Sequence, residues 1–508
     1  VGGCSDFISF IKYFIYYYAN NVEFSKPMKK RPEPIFIILI VAATLRALHI
    51  LGYVGFKQMD EHWQVFEPAY GLLGYPWSKT IEWQDGLRNW IYPGLVAGVI
   101  KLLECLRVDD QIVKAQIVRG LHGCLSLVGI YYAIRLAQRL KQTGFKQMSA
   151  SEVLSWPSAY AVGIWLAVLP FSIYTGVHCH GDMLGAVFIL LAFYVSPRSA
   201  LASGAFYGLA LMIKIDLAVA GLFAGLWHLF CRQWNKAFQM ALGALPFILL
   251  TGFIDWLTWG QWFHSVLGHA RVNLVEEIGN QWGTSPWFMH LAYVASFVGV
   301  PALSIFALLN KWKALSTEQK HGWFVIFGFI GVFSCVEHKE KRFMAPLIYV
   351  AVVYCFVFAE WLLNDYWPRL KHQFSRTAIL AIAFVLSSVL FATDIRNYII
   401  KRPWHERILS IWHGSKIADA EAFFALQWPA VFYFPKHIPA TNLDATPENI
   451  KSATQSYRVV AVVHDGGHMG WWQDAGFQCA VVYPKSGVLE SNAPDPVPRA
   501  WRCERNPK

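Results

Sequence analysis

The chain has 508 residues, of which 55% are hydrophobic, 16% aromatic and only 15% charged. Soluble domains carry about 25% charged residues, so this balance excludes an ordinary soluble globular protein and points to a polytopic membrane protein. The net charge of +11 sits in short clusters between apolar runs, with no basic patch interleaved with stacking aromatics. It reads as a set of topology determinants and excludes a nucleic-acid binder.

Residues 1–34 read as an N-terminal arm or extension ending in the basic flank Met28-Lys29-Lys30-Arg31. Ile35–Val54 is predominantly apolar, and about 20 such residues cross a hydrocarbon core of roughly 30 Å. The positive-inside rule then puts the N-terminus in the cytoplasm and the following loop on the far side. Further spans are expected near 112–134, 155–173, 182–196, 201–214, 216–231, 237–254, 291–309, 322–336, 344–363 and 377–393, about eleven in all. Residues 89–106 are ambiguous between a span and a juxtamembrane helix. The second reading is preferred, because it keeps the basic clusters 135–146, 232–236, 311–320 and 369–376 in the cytoplasm. It also gathers every chemically rich loop on the extracytoplasmic side. Lys214 and Asp216 fit a short turn between two spans.

The first loop, residues 55–111, holds Asp60-Glu61-His62-Trp63-Gln64, Glu67, and a second polar-aromatic cluster around Glu82, Trp83 and Arg88. A carboxylate just outside the membrane can take a proton from an attacking hydroxyl. The segment His178-Cys179-His180-Gly181-Asp182 offers a weak cation site through His178, His180 and Asp182. Residues 255–290 are too long for a plain turn and carry Asp255, Trp259, Trp262, Asn273, Trp282 and Trp287. Such indoles either anchor at the interface or stack on sugars. Between two apolar runs stands Glu337-His338-Lys339-Glu340-Lys341-Arg342-Phe343, where Lys339 and Arg342 are suited to a lipid phosphate.

After residue 394 the chain turns polar. Val459–Val463 and Cys479–Tyr483 read as strands, so 395–508 is expected to be a small extracytoplasmic α/β domain. The nine cysteines show no CxxC and no zinc spacing; Cys479 and Cys503 are open to a disulfide if this domain is extracytoplasmic. His464 and His468 flank a glycine turn rather than a metal. No Asn-x-Ser/Thr sequon occurs, which favours a bacterial inner membrane over the endoplasmic reticulum.

The first-loop signature (Asp60-Glu61-His62-Trp63-Gln64, Glu67, Glu82-Trp83, Leu87-Arg88-Asn89, Tyr92-Pro93) resembles that of glycosyltransferase family 22, as does His338-Lys339-Glu340-Lys341-Arg342-Phe343, which matches the family's His-Lys-Glu-x-Arg-Phe. A third likeness is Asp255, Trp259-Gly260, Trp262, Asn273, Trp282-Gly283 and Pro286-Trp287. The nearest branch is the third GPI mannosyltransferase, with the lumenal mannosyltransferases of N-glycan assembly as cousins. The likeness covers most of residues 35–350.

The resemblance implies an all-α GT-C transmembrane domain over 35–394. It also implies inverting transfer of mannose from a polyprenyl (dolichyl) phosphate to a lipid-linked glycan. Carried over, Asp60 is the general base with Glu61 as alternate, and His338, Lys339, Arg342 and Arg88 face the donor phosphate. Glu67, Glu82, Trp83, Glu340, Trp282 and Trp287 shape the acceptor side or brace the loop. His178–Asp182 departs from the family's Arg-Thr-x-Ser-Asn-like turn. No cofactor is required, a divalent metal is not favoured, and the enzyme is expected to act as a monomer on membrane lipids and glycolipids. The alternatives are another lipid-phosphate sugar, such as an aminoarabinose-like unit, or a polyprenyl-linked sugar flippase; the chain shows no internal repeat of the kind transporters carry.

Overall fold

A computed structural model describes residues 33–143, 158–370, 386, 389, 394–401, 404–426, 430–444, 446–464, 469–483 and 499–506. The helical part runs α1 (Pro34–Gly52), α2 (Ile91–Cys105), α3 (Gln111–Thr143), α4 (Ser158–Val168), α5 (Pro170–Val177), α6 (Gly181–Val195), α7 (Ala200–Ile213), α8 (Ala218–Phe230), α9 (Trp234–Trp259), α10 (His264–Leu274), α11 (Met289–Val298), α12 (Thr317–Ser334) and α13 (Ile348–Leu370).

Among the described residues, four helices are singly long and apolar enough to cross a membrane, and a fifth span arises if α4 and α5 are counted together across their 69° bend. Of the eleven or so expected spans, four or five are thus of full length here, and the apolar helices Gly181–Val195, Ala200–Ile213, Ile215–Phe230 and Met289–Val298 are shorter. The apolar runs are real, but breakers divide them. Pro170 supplies no N–H to the helix and clashes with the Leu166 carbonyl. The buried Arg46 of α1 reaches the freed carbonyls of Leu166 and Ala167 at 3.5 and 3.4 Å, and Ser126 Oγ at 2.7 Å. The expected span 291–309 is cut at Gly299, which has φ +74°, and continues only as a 3-10 turn. Lys214 and Asp216 sit in the break between α7 and α8. The stretch at 377–393 falls almost wholly outside the described residues, as do residues 1–32.

Helix α2, the ambiguous segment, has 15 residues, about 22 Å at 1.5 Å per residue, which is short of the bilayer core. Residues 255–290 are less irregular than expected: α9 runs on to Trp259, and α10 occupies His264–Leu274. Helices α7 and α9 touch backbone to backbone, because a Cβ at Gly204 would collide with the Met240 carbonyl and one at Gly243 with that of Leu201. Small residues at such crossings are how helices pack in lipid.

After α13 comes α14 (His405–Ser415), then a five-stranded sheet of β1 (Ala422–Leu426), β2 (Ala440–Leu443), β3 (Val459–His464), β4 (Phe477–Tyr483) and β5 (Arg499–Arg505), in the order β2-β1-β3-β5-β4. β1 is parallel to β2 and β3, while β5 is antiparallel to β3 and β4. Cys479 and Cys503 face each other across β4 and β5 and form a disulfide. Strand side chains alternate faces. Phe424, Val460, Val462 and Trp472 fill one side with Ile450. Phe423, Ala461, Val463 and Ala500 fill the other with Ile408 and Ile411 of α14. That second layer is continuous with Val54, Phe56, Phe66, Tyr70 and Val96 of the first loop and α2. The C-terminal domain is thus built onto the loop that carries the acidic signature.

Candidate active site

The first loop closes on itself through a widened helical turn, His62–Phe66, that begins immediately after Asp60-Glu61. Such π-type turns recur at functional sites because they re-aim side chains. Here the two adjacent acids part company. Asp60 remains half-buried and faces a cleft that opens to solvent. Glu61 is fully buried beneath it.

Asp60 is paired with Arg342 of the His338–Phe343 motif. Arg342 in turn binds Glu340 at 2.7 and 2.9 Å. Burial alone would raise the Asp60 carboxyl, but Arg342, Arg88, Lys214 and His180 together hold it below its ordinary range. Arg88 is paired with Glu82, whose other oxygen accepts a 2.8 Å bond from Gln64. Trp83 is buried against Trp90, with its indole N–H on the Trp63 carbonyl at 3.1 Å. Asn89 donates to Asp255 at 2.7 Å, and Asp255 also accepts from Ser265 Oγ at 2.7 Å. In this way α9 and α10 brace the loop.

The opposite wall of the cleft comes from the start of α6, the end of α7 and α10. Asp182 pairs with Lys214 at 2.7 Å, Lys214 approaches Asp216 at 3.6 Å, and Asp216 pairs with His269 at 2.8 Å. Burial works against the Lys214 ammonium, but Asp182 and Asp216 more than offset it and raise its pKa.

Glu61 accepts both Nε and Nη2 of Arg119 at 2.9 Å, the Cys179 N–H at 3.0 Å, and pairs with His178 Nδ1. Burial opposes its charge, yet Arg119 and His178 hold its carboxyl well below the usual range. The rest of the Arg119 guanidinium caps the carbonyls of Tyr53, Val54 and Gly55. His178 also meets His49 at 3.3 Å, Nε2 to Nε2. Glu67, likewise buried, pairs with His62 at 2.8 Å and accepts the N–H of Ser78 at 2.9 Å and of Phe432 at 2.8 Å. The last of these ties the loop to the C-terminal domain.

The sequence profile of the Alg9-like mannosyltransferase family matches residues 35–402. The chain belongs to that family. Its similar relatives include Mannosyltransferase APTG1 of Arabidopsis thaliana (25% identical, 65% of this chain and 59% of the relative) and GPI mannosyltransferase 3 of Yarrowia lipolytica (27%, 62% and 60%). GPI alpha-1,2-mannosyltransferase 3 of Homo sapiens is 22% identical over 73% of this chain and 65% of its own. The chain therefore spans less than two thirds of the length of these relatives. Among solved structures, ArnT from Cupriavidus metallidurans bound to undecaprenyl phosphate has a TM-score of 0.54 at 13% identity, covering 92% of this chain and 97% of that one. This last likeness concerns the fold alone. Family and fold together make the chain an integral membrane protein, mostly helical, with a small C-terminal sheet.

Of the residues singled out from the family motifs, Asp60, Trp83 and Arg88 line the cleft, with Glu82 and Arg342 paired to them. Others stand elsewhere. Lys339 is buried, with Nζ on the carbonyls of Val336 and Glu337 at 2.5 and 3.4 Å, so it is satisfied by its own segment. His338 bonds the Gly283 carbonyl at 2.8 Å and Glu340 at 3.1 Å. Trp282 and Trp287 are 81% and 71% exposed and do not line the cleft.

His178, His180 and Asp182 do not form a cation cage, since His178 is engaged by Glu61 and Asp182 by Lys214. Among the described residues, no three His, Cys, Asp or Glu side chains are grouped to hold a metal. The sequence reading passed over Arg119 and the Asp182–Lys214 pair. The signal for Arg119 was available, because an arginine inside the apolar run 112–134 demands a buried partner.

Proposed function

We propose that the protein is an inverting glycosyltransferase that moves mannose from a polyprenyl-phosphate carrier to a hydroxyl of a lipid-linked glycan on the extracytoplasmic face. The observation that carries this reading is the Asp60–Arg342 pair at the cleft: a base and a phosphate-binding cation drawn from the family's two motifs and set in contact. The undecaprenyl phosphate named with ArnT supports a lipid-phosphate donor, and the Cys479–Cys503 disulfide supports an oxidising, extracytoplasmic side.

The reaction needs no metal in this account. The acceptor hydroxyl gives its proton to Asp60 while its oxygen attacks the anomeric carbon in line. The bond from that carbon to the phosphate oxygen breaks, and the electron pair leaves with the lipid phosphate, stabilised by Arg342 and Arg88. As the phosphate draws Arg342 to itself, Asp60 loses the cation that depresses its basicity, so donor binding readies the base. Glu61 is unsuited to the role, because taking a proton would cost it Arg119 and His178 in a buried site.

The test is transfer by purified protein from polyprenyl-phosphate mannose to a glycolipid acceptor, with and without EDTA. Wild type should transfer regardless of EDTA, and Asp60→Asn should fold normally and lose about 10²- to 10⁴-fold in rate. Near-normal turnover by Asp60→Asn would remove it from the mechanism. Turnover only with another lipid-phosphate sugar would replace the donor and keep the chemistry.

A further inference from the structure

His180 stands immediately before α6 with 4% of its surface exposed, and neither ring nitrogen has a hydrogen-bond partner. Its neighbour two residues back makes the contrast: His178, equally buried, has Nδ1 on Glu61 and Nε2 against His49. Buried polar side chains are nearly always hydrogen-bonded, and one left unmade costs about 1–3 kcal/mol. Two open nitrogens on one deeply buried ring therefore call for an explanation.

The ring's position supplies one. His180 lines the cleft together with Asp60, Arg88, Asp182 and Lys214. Its backbone N–H donates to the His178 carbonyl at 2.7 Å and its carbonyl accepts from the Met183 N–H at 3.3 Å, which holds the backbone while the ring lines the cavity. Burial pushes the imidazole down to about 4, so it is neutral at physiological pH. A neutral imidazole offers one donor and one acceptor. That suits an uncharged hydroxyl, which gives and takes one hydrogen bond, better than an anion, which only accepts. The adjoining Asp182–Lys214 pair, 2.7 Å apart, adds the acceptor and donor that neighbouring hydroxyls on a ring require.

We propose that His180 binds sugar: its imidazole hydrogen-bonds a hydroxyl of the ring that occupies the cleft beside Asp60. The identity of that sugar as mannose rests on the transferase reading above; the hydroxyl-binding role does not.

The test pairs kinetics with binding. His180→Ala should raise KM roughly fivefold to tenfold for one substrate only, and which KM moves tells whether the donor or the acceptor sugar is held. His180→Gln, which keeps a donor and an acceptor, should recover part of the loss, and both variants should melt like wild type. Independently of turnover, saturation-transfer NMR with methyl α-mannoside and its monodeoxy analogues should show one deoxy position to which wild type is sensitive and His180→Ala is not. That result would stand even if no transfer from polyprenyl-phosphate mannose were found. Unchanged KM values and an unchanged deoxy profile in His180→Ala would overturn the inference and assign the ring to trapped water. A loss reproduced in wild type by chelation alone would overturn it in favour of a cation.

Discussion

On its back, the first loop saturates its carboxylates. Glu61 takes four hydrogen bonds from Arg119, His178 and the Cys179 amide, and Glu67 takes the amides of Ser78 and Phe432 and pairs with His62. On its front, Asp60 is half-exposed with one arginine partner, and across the cleft His180 has none. The two faces lie one residue apart at Asp60-Glu61. The difference shows how a carboxylate's environment, rather than its type, divides scaffold from chemistry. Buried charge fully engaged fixes geometry; charge with spare capacity can act on something that arrives.

The largest break in this comparison should come from Glu61→Gln. A depressed carboxyl contributes stability that is present above its ordinary pKa of 4.5 and is lost as pH falls through the lower folded value. Removing the charge leaves Arg119 buried without its counter-ion, a loss of about 3–5 kcal/mol at neutral pH. Thermal melts should show a deficit that narrows as the pH is lowered well into the acid range; a wild-type melting curve at neutral pH would deny Glu61 its structural role. Glu67→Gln should be milder, roughly 1–3 kcal/mol, because its partners are two neutral backbone amides and His62, so no buried arginine is left without a counter-ion. Its signature is faster hydrogen exchange at the Phe432 amide, and unchanged exchange there would mean the domain contact does not depend on Glu67. The smallest effect is expected for Trp282→Ala and Trp287→Ala, each within about 0.5 kcal/mol of wild type with transfer largely retained. A severe loss of transfer with intact stability would instead bring these indoles onto the substrate.

What could be read from the sequence follows the same division. Motifs that place unusual residue types close together, such as Asp60-Glu61-His62 and Lys339 to Arg342, were legible because ionisable residues beside an apolar slab stand out. Which of two adjacent acids faces the cleft was not, since it turns on the widened turn at His62–Phe66 and on Arg119, 58 residues away from Glu61. Hydrophobic content identified the apolar runs but overstated whole spans, because Pro170 and Gly299 divide helices without changing composition. Strands β3 and β4 were visible as apolar β-branched runs. β1, Ala422–Leu426, carries no such pattern, and its strand character comes from pairing on both sides.

The union of the first loop with the C-terminal domain also dictates an order of events during synthesis. Glu67 and the Phe432 amide that it holds are 365 residues apart. At the usual 5–20 residues per second, the loop leaves the ribosome roughly 20–70 s before the partner for its back face exists. Over that interval Phe56, Phe66 and Tyr70 lack the covering supplied by Phe432, Tyr433 and α14. The first loop is therefore translated well before the segment that completes its back-face packing. In a chain cut short before residue 430, Phe66 and Tyr70 would lack the Phe432 ring that packs on both.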